Sequence, residues 1–283
     1  MSVIEPNLRK PCIALMGEFS AGKSTLANLL IGADPLPVQV VATQLPPVWI
    51  AYGDKDPIRV DLDGNMHAID INNLAAARLD ETTYIKIFYQ EDVLMHCDLL
   101  DLPGISDPNM SAEVWERMMS MVHGVLWCSH ATQAWRQSEA AVWESLPRTL
   151  YQHSLLLLTR ADKLTSERDL QRVVRRVRAE TKGLFVDCLP ISLLQATSEQ
   201  DDYDVWLKSG AGEFAKLFAG LLEGLSAKMA DTGAQSETAQ PLNEMRMPAF
   251  EGPAPPEPET PALAEPAGAR ITPRRVRAPD RSS

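Results

Sequence analysis

Up to about residue 230 the chain alternates short apolar runs with longer amphipathic stretches. Cys12-Ile13-Ala14-Leu15-Met16 is wholly apolar, as a parallel strand buried on both faces must be. Lys23 to Ile31 reads as a helix that stops at Gly32. Val48 to Tyr52 and Ile58 to Leu62 read as strands, and Asp63-Gly64 marks a hairpin turn. Tyr84 to Tyr89 and Leu94 to Leu100 read as another strand pair. Gly124 to Cys128, Ser154 to Leu158 and Phe185 to Ile191 supply three further strands.

Helices fill the gaps, at Ser111 to Val122, Ser138 to Leu146 and Ser166 to Glu180. The third opens on the cap-like Ser166-x-x-Asp169. It places Leu170, Val173, Val174 and Val177 on one face and Arg168, Arg172, Arg175 and Arg176 opposite. A solvated face accounts for the arginines; a membrane or partner patch is the alternative. A last helix carries Phe214, Leu217, Phe218, Leu221, Leu222 and Leu225 at helical spacing, to pack on the domain or to recruit a partner helix. Such alternation predicts an α/β fold: a mostly parallel central sheet with helices on both faces.

The pattern ends near residue 230, which divides the chain into a folded domain, 1–229, and a tail, 230–283. Ten of the chain's 21 prolines lie in the tail, among Ala and Glu. A segment so poor in apolar surface cannot offset its ordering entropy, so it is expected to be disordered. Its first part is acidic, and its end carries Arg270, Arg274, Arg275, Arg277 and Arg281. A solubilising role suffices for it; contact of the basic end with an anionic lipid surface or acidic partner is the other reading.

Composition adds exclusions. The formal net charge of -11 disfavours nucleic acid as a partner. Cys12, Cys97, Cys128 and Cys188 stand apart in apolar runs with no Cys-x-x-Cys, so reduced core cysteines are expected and a zinc site is not. No run approaches the length of a membrane span, and the N-terminus lacks a signal-peptide pattern. The expected location is cytoplasmic, with peripheral contact at the inner membrane left open.

Candidate chemistry begins at Gly17-Glu18-Phe19-Ser20-Ala21-Gly22-Lys23-Ser24, followed by Thr25. The spacing G-x-x-x-x-G-K-[S/T], between a buried strand and a helix, is that of a phosphate-binding loop. Gly17 and Gly22 let the backbone wrap closely around a phosphate. The amides from Ser20 to Ser24 and the helix N-terminus then face the anion. Lys23 would reach the β- and γ-phosphates, and Ser24 would offer its hydroxyl to Mg²⁺.

A second element, Asp101-Leu102-Pro103-Gly104, closes an apolar strand. Asp101 can hold Mg²⁺ through water, and the Gly104 amide can bond the γ-phosphate. A third, Thr159-Arg160-Ala161-Asp162, closes another strand. The Asp162 carboxylate can accept from guanine N1–H and its 2-amino group, which adenine cannot match; capping the loop is its alternative role. Ser192, after the strand Phe185 to Ile191, supplies a wall of the base pocket.

Together these motifs resemble the GTPase domain of the dynamin family, in its bacterial form, over roughly residues 10 to 195. Gly17 to Leu26 has that group's loop sequence, and Thr43-Gln44-Leu45-Pro46 is similar to its first switch. Asp101 to Gly104 and Thr159 to Asp162 match its remaining motifs. The resemblance implies GTP and GDP as ligands with Mg²⁺ held by Ser24, Thr43 and Asp101. It implies that Thr43 positions the attacking water, and that Ser20 contacts the phosphates and a charge-compensating monovalent cation. It also implies a GTP-dependent homodimer across the nucleotide face.

Departures from the pattern are visible. Phe19 stands where eukaryotic dynamins carry a glutamine that orients water, and Ile105 follows Gly104 where a Ras-like glutamine would stand. Arg160 replaces the usual lysine beneath the guanine. Arg136 lies in the polar segment Thr132 to Ser138, as a finger or as a surface arginine. Only one helix of stalk character precedes the tail, so membrane fission by this chain alone is not expected. The expected function is Mg²⁺-dependent GTP hydrolysis, with Lys23, Ser20, Thr43 and Gly104 as catalytic residues, in a nucleotide-dependent switch or assembly factor. The rivals are a GTP-gated module with negligible hydrolysis that docks a stalk-bearing or membrane partner, and an ATPase or small-molecule kinase.

Overall fold

The computed structural model describes residues 10–32, 45–106, 112–198 and 203–231. Thr43 and the whole tail beyond 231 lie outside the described residues, so the expectations placed on them have no structural counterpart.

Nine strands form one sheet: β1 (Cys12–Gly17), β2 (Val48–Tyr52), β3 (Ile58–Asp61), β4 (Met66–Ala68), β5 (Thr82–Tyr89), β6 (Asp98–Asp101), β7 (Gly124–His130), β8 (Ser154–Thr159) and β9 (Asp187–Pro190). Their order is β4-β3-β5-β2-β6-β1-β7-β8-β9. The run β6-β1-β7-β8-β9 is parallel throughout. β2 is antiparallel to β6 but parallel to β5, and the β3–β4 hairpin adds antiparallel strands at that edge. All six residues of β1 are buried, as the unbroken apolar run requires of a central strand.

Alternation along β1 feeds two cores. Ile13 and Leu15 face one layer with α1 (Lys23–Ile31), α2 (Asp92–His96), α6 (Leu193–Ser198) and α8 (Ala211–Asp231). Cys12, Ala14 and Met16 face the other, with α3 (Ala112–Glu116), α4 (Gln137–Ser145) and α5 (Glu167–Glu180). A further helix, α7 (Tyr203–Lys208), precedes α8. The α8 stripe packs into the first core through Phe214, Phe218, Leu221, Leu222 and Leu225. On α5, Val174 and Val177 are buried, while Arg168, Arg172, Arg175 and Arg176 are exposed. The Ser166 hydroxyl accepts from the Asp169 amide, so the cap forms. All four cysteines are free and buried.

Three expectations change. Leu94 to Leu100 is not one strand: α2 occupies Asp92–His96, and β6 begins at Asp98. One helical turn buries Val93 and Leu94 as a strand would, so the apolar run alone could not separate them. β5 and β6 do not pair, because β2 lies between them. Of Ser111 to Val122, the α-helix covers Ala112–Glu116, with a 3₁₀ turn at Met119–Met121.

Candidate functional site

The phosphate loop leaves β1 at Gly17, whose φ of 141° belongs to glycine. A Cβ there would lie 2.1 Å from the Cys128 carbonyl oxygen on β7, so the position has no room for a side chain. Ser20 and Gly22 also take left-handed backbone, at φ 58° and 93°, and the loop runs directly into α1. Backbone curved in this way beside a helix N-terminus can seat an anion. The Ala21 amide, expected to face the phosphates, instead donates to the Glu18 carbonyl at 3.2 Å.

Lys23 is buried inside the loop, where its Nζ donates to the carbonyls of Gly17 (3.2 Å) and Glu18 (3.0 Å). Burial lowers its pKa from the ordinary lysine value, partly opposed by Asp101. Across from it, the Ser24 hydroxyl donates to Asp101 Oδ2 at 3.3 Å. Burial pushes the Asp101 carboxyl up to about 6, against the pull of Lys23 and Ser24. Asp101 Oδ1 is buried with no hydrogen-bond partner. An orphaned carboxylate oxygen beside a serine hydroxyl is hard oxygen chemistry, which fits Mg²⁺ completed by phosphate oxygens and water. No group of three His, Cys, Asp or Glu residues suited to a metal occurs among the described residues.

After Asp101 the chain continues alongside β1 in the same direction: the Leu102 amide donates to the Leu15 carbonyl at 3.3 Å and the Ile105 amide to the Gly17 carbonyl at 3.2 Å. Gly104 then lies against Phe19, where an added Cβ would meet the Phe19 Cα and N at 2.9 Å. The Phe19 amide donates to the Ser106 hydroxyl at 3.0 Å, and its ring is 59% exposed. Thr25 is exposed on α1.

The third motif grips the loop from the β8 end. The buried Thr159 hydroxyl donates to the Ala21 carbonyl at 2.7 Å, so this threonine supports the loop backbone. Arg160, at φ 54°, donates from Nη2 to the Ser20 carbonyl at 2.9 Å. Asp162 accepts from the Ser192 hydroxyl at 2.7 Å, which orients the carboxylate. Ser192 is itself buried and pinned by its amide to the Ser209 carbonyl. Every sequence-predicted residue of the loop, of Asp101 to Gly104 and of Thr159 to Ser192 thus converges on the ends of β1, β6, β8 and β9.

One association escaped the sequence reading, which named Glu18 and Arg136 separately. Ser138 Oγ donates to Glu18 Oε1 at 2.8 Å, and Arg136 Nη1 lies 3.2 Å from Glu18 Oε2. Behind them Glu139 is buried, accepting from the Trp127 indole, the Ser129 hydroxyl and the Arg136 amide. The available signal was Glu139 in the first turn of α4; an acid there caps a helix as well as any surface one, so burial was not legible.

This loop, with one carboxylate at the adjacent strand end and another just beyond β8, belongs to a P-loop nucleoside-triphosphatase fold. Residues 13–161, just over half of the chain, match the dynamin family, and the chain belongs to it. It is 28% identical over 194 residues to dynamin-like protein 2 of Campylobacter jejuni subsp. jejuni serotype O:23/36 (strain 81-176), covering 66% of this chain and 32% of that protein. In two structures of an oligomerised bacterial dynamin pair, described as long-range sensing and tethering of membranes, the fold recurs. The TM-scores are 0.59 and 0.58, at 23% and 22% identity. Each match covers 80% of this chain and 37% of the other. The chain therefore spans about a third of the length of the relatives it matches.

Proposed function

We propose that this chain binds GTP with Mg²⁺ at Gly17 to Thr25 and hydrolyses it to GDP and phosphate, as a nucleotide-dependent switch or assembly factor. The observation that carries the reading is the meeting of Lys23, Ser24 and the orphaned Asp101 oxygen at one loop. The Lys23 ammonium and the loop amides bind the β- and γ-phosphates and stabilise charge as it develops there. Ser24 and Asp101 hold Mg²⁺, which supplies further neutralisation of the phosphates. The Gly104 amide binds the γ-phosphate, and the Asp162 carboxylate selects guanine. Ser20 completes the phosphate contacts and, with them, the seat of a monovalent cation.

Thr43 positions the attacking water. Topology supports that role, because Val48 at the start of β2 pairs with Asp101 at the end of β6. Thr43 precedes Val48 by only five residues, a reach of about 17 Å at most.

GTP turnover with Mg²⁺ tests the reading. Lys23→Ala should lower turnover by about a hundredfold or more. Asp162→Ala should let ATP compete with GTP in a binding assay. Unchanged GTP affinity and turnover in Lys23→Ala would end the proposal.

A second reading rests on Phe19 and Ile105, which put no water-orienting amide beside Gly104. In it the chain is a GTP-gated module that docks a stalk-bearing or membrane partner. Turnover that climbs with protein concentration supports a GTP-dependent homodimeric enzyme; flat turnover near zero supports the module. The basic residues from Arg270 to Arg281 are the proposed membrane contact, tested by co-sedimentation with anionic vesicles.

A further inference from the structure

Glu18 is an anomaly in a loop built to wrap a polyanion. A carboxylate a few ångströms from a triphosphate opposes binding, unless a cation neutralises it and a donor fixes its direction. Both are present: Arg136 at 3.2 Å on Oε2 and Ser138 at 2.8 Å on Oε1. The backbone oxygen of the same residue accepts from Lys23 Nζ, so Glu18 links the phosphate-binding lysine to the start of α4.

The segment that presents Arg136 is fixed. Trp135 holds left-handed backbone at φ 57° and packs edge-on against Trp127 and Phe185, at 6.2 and 5.4 Å between rings. The Ser129 hydroxyl accepts from the Trp135 amide, the Ala134 carbonyl accepts from Arg176, and the Arg136 amide is tied to Glu139. Arg136 is thus more than an unconstrained surface arginine, and in this chain its guanidinium turns to its own loop.

We propose that Arg136 and Ser138 are positioning residues that neutralise and tether the Glu18 carboxylate so that the loop accepts a nucleoside triphosphate. This rests on the GTP-binding reading above. The Arg136 side chain is 46% exposed, and exposed ion pairs contribute little to folding. The pair therefore acts on ligand electrostatics and leaves global stability almost untouched.

The test titrates the full chain with fluorescent GTP and GDP in the presence of Mg²⁺, follows thermal unfolding, and measures KM and kcat. Arg136→Gln should weaken GTP by about fivefold, GDP by less because it carries one charge fewer, and leave the unfolding midpoint in place. KM should rise in step while kcat at saturating GTP is kept. Ser138→Ala should lose less, and Arg136→Lys should retain most of the affinity. The decisive variant is Arg136→Gln combined with Glu18→Gln: deleting the stranded charge should restore much of what Arg136→Gln loses. Wild-type affinity in Arg136→Gln, equal losses for GTP and GDP, or no restoration by the second change would overturn the inference alone. A wild-type protein that binds no guanine nucleotide would overturn the functional reading and this inference with it.

Discussion

Asp101 joins two otherwise separate facts. Its carboxyl is pushed up to about 6 by burial, and one of its oxygens has no hydrogen-bond partner. At neutral pH the group is still ionised, so the fold keeps a desolvated charge with Ser24 as its hydrogen-bond donor. Asparagine has the same shape and lacks that charge. In buffer without Mg²⁺, Asp101→Asn should therefore stabilise the protein by up to about 3 kcal/mol in denaturant unfolding. The same variant should lose the Mg²⁺ dependence of GTP affinity. A variant less stable than wild type would show that Asp101 is structural. The motif Asp-x-x-Gly was legible in the sequence; the orphaned oxygen was not, because it depends on the neighbours that α1 and β6 bring together.

Among elements, α4 shows most clearly what the chain conceals. Its boundaries were readable, but its first turn carries a buried acid that holds Trp127, Ser129 and Arg136. Burial raises the Glu139 carboxyl above its ordinary 4.5, more than its three hydrogen bonds lower it. A carboxyl raised in the fold takes up a proton on folding, so its contribution to stability is greatest below 4.5 and is lost as pH rises above it. Glu139→Gln removes that slope: measured against wild type, its stability should depend less on pH from about 4.5 upward. An identical slope would refute it. The misread run at Leu94 to Leu100 has a similar origin, since one helical turn and one strand bury the same apolar positions.

For the whole molecule, most strands, the helices α1, α4, α5 and α8, and the three candidate motifs were visible in the sequence as patterns, while β4, α2, α6 and α7 were not. Each visible one is a local pattern: an apolar run, a glycine spacing, an acid at a strand end. Sheet order was not visible, because β2 is placed by pairing Val48 with Ile85 and with Asp101, both distant in sequence. That placement has a mechanical meaning. β2 is hydrogen-bonded along both edges, and its first residue pairs with Asp101. If the chain hydrolyses GTP as proposed, β2 should act as a clamp, so that any displacement following γ-phosphate loss stops at Val48. Deuterium uptake should accordingly change with nucleotide before residue 48 and stay flat across Trp49 to Tyr52; a change that ran through the strand would mean the clamp slips. On that reading the sheet is the fixed anvil, and motion should leave the site by routes that bypass β2.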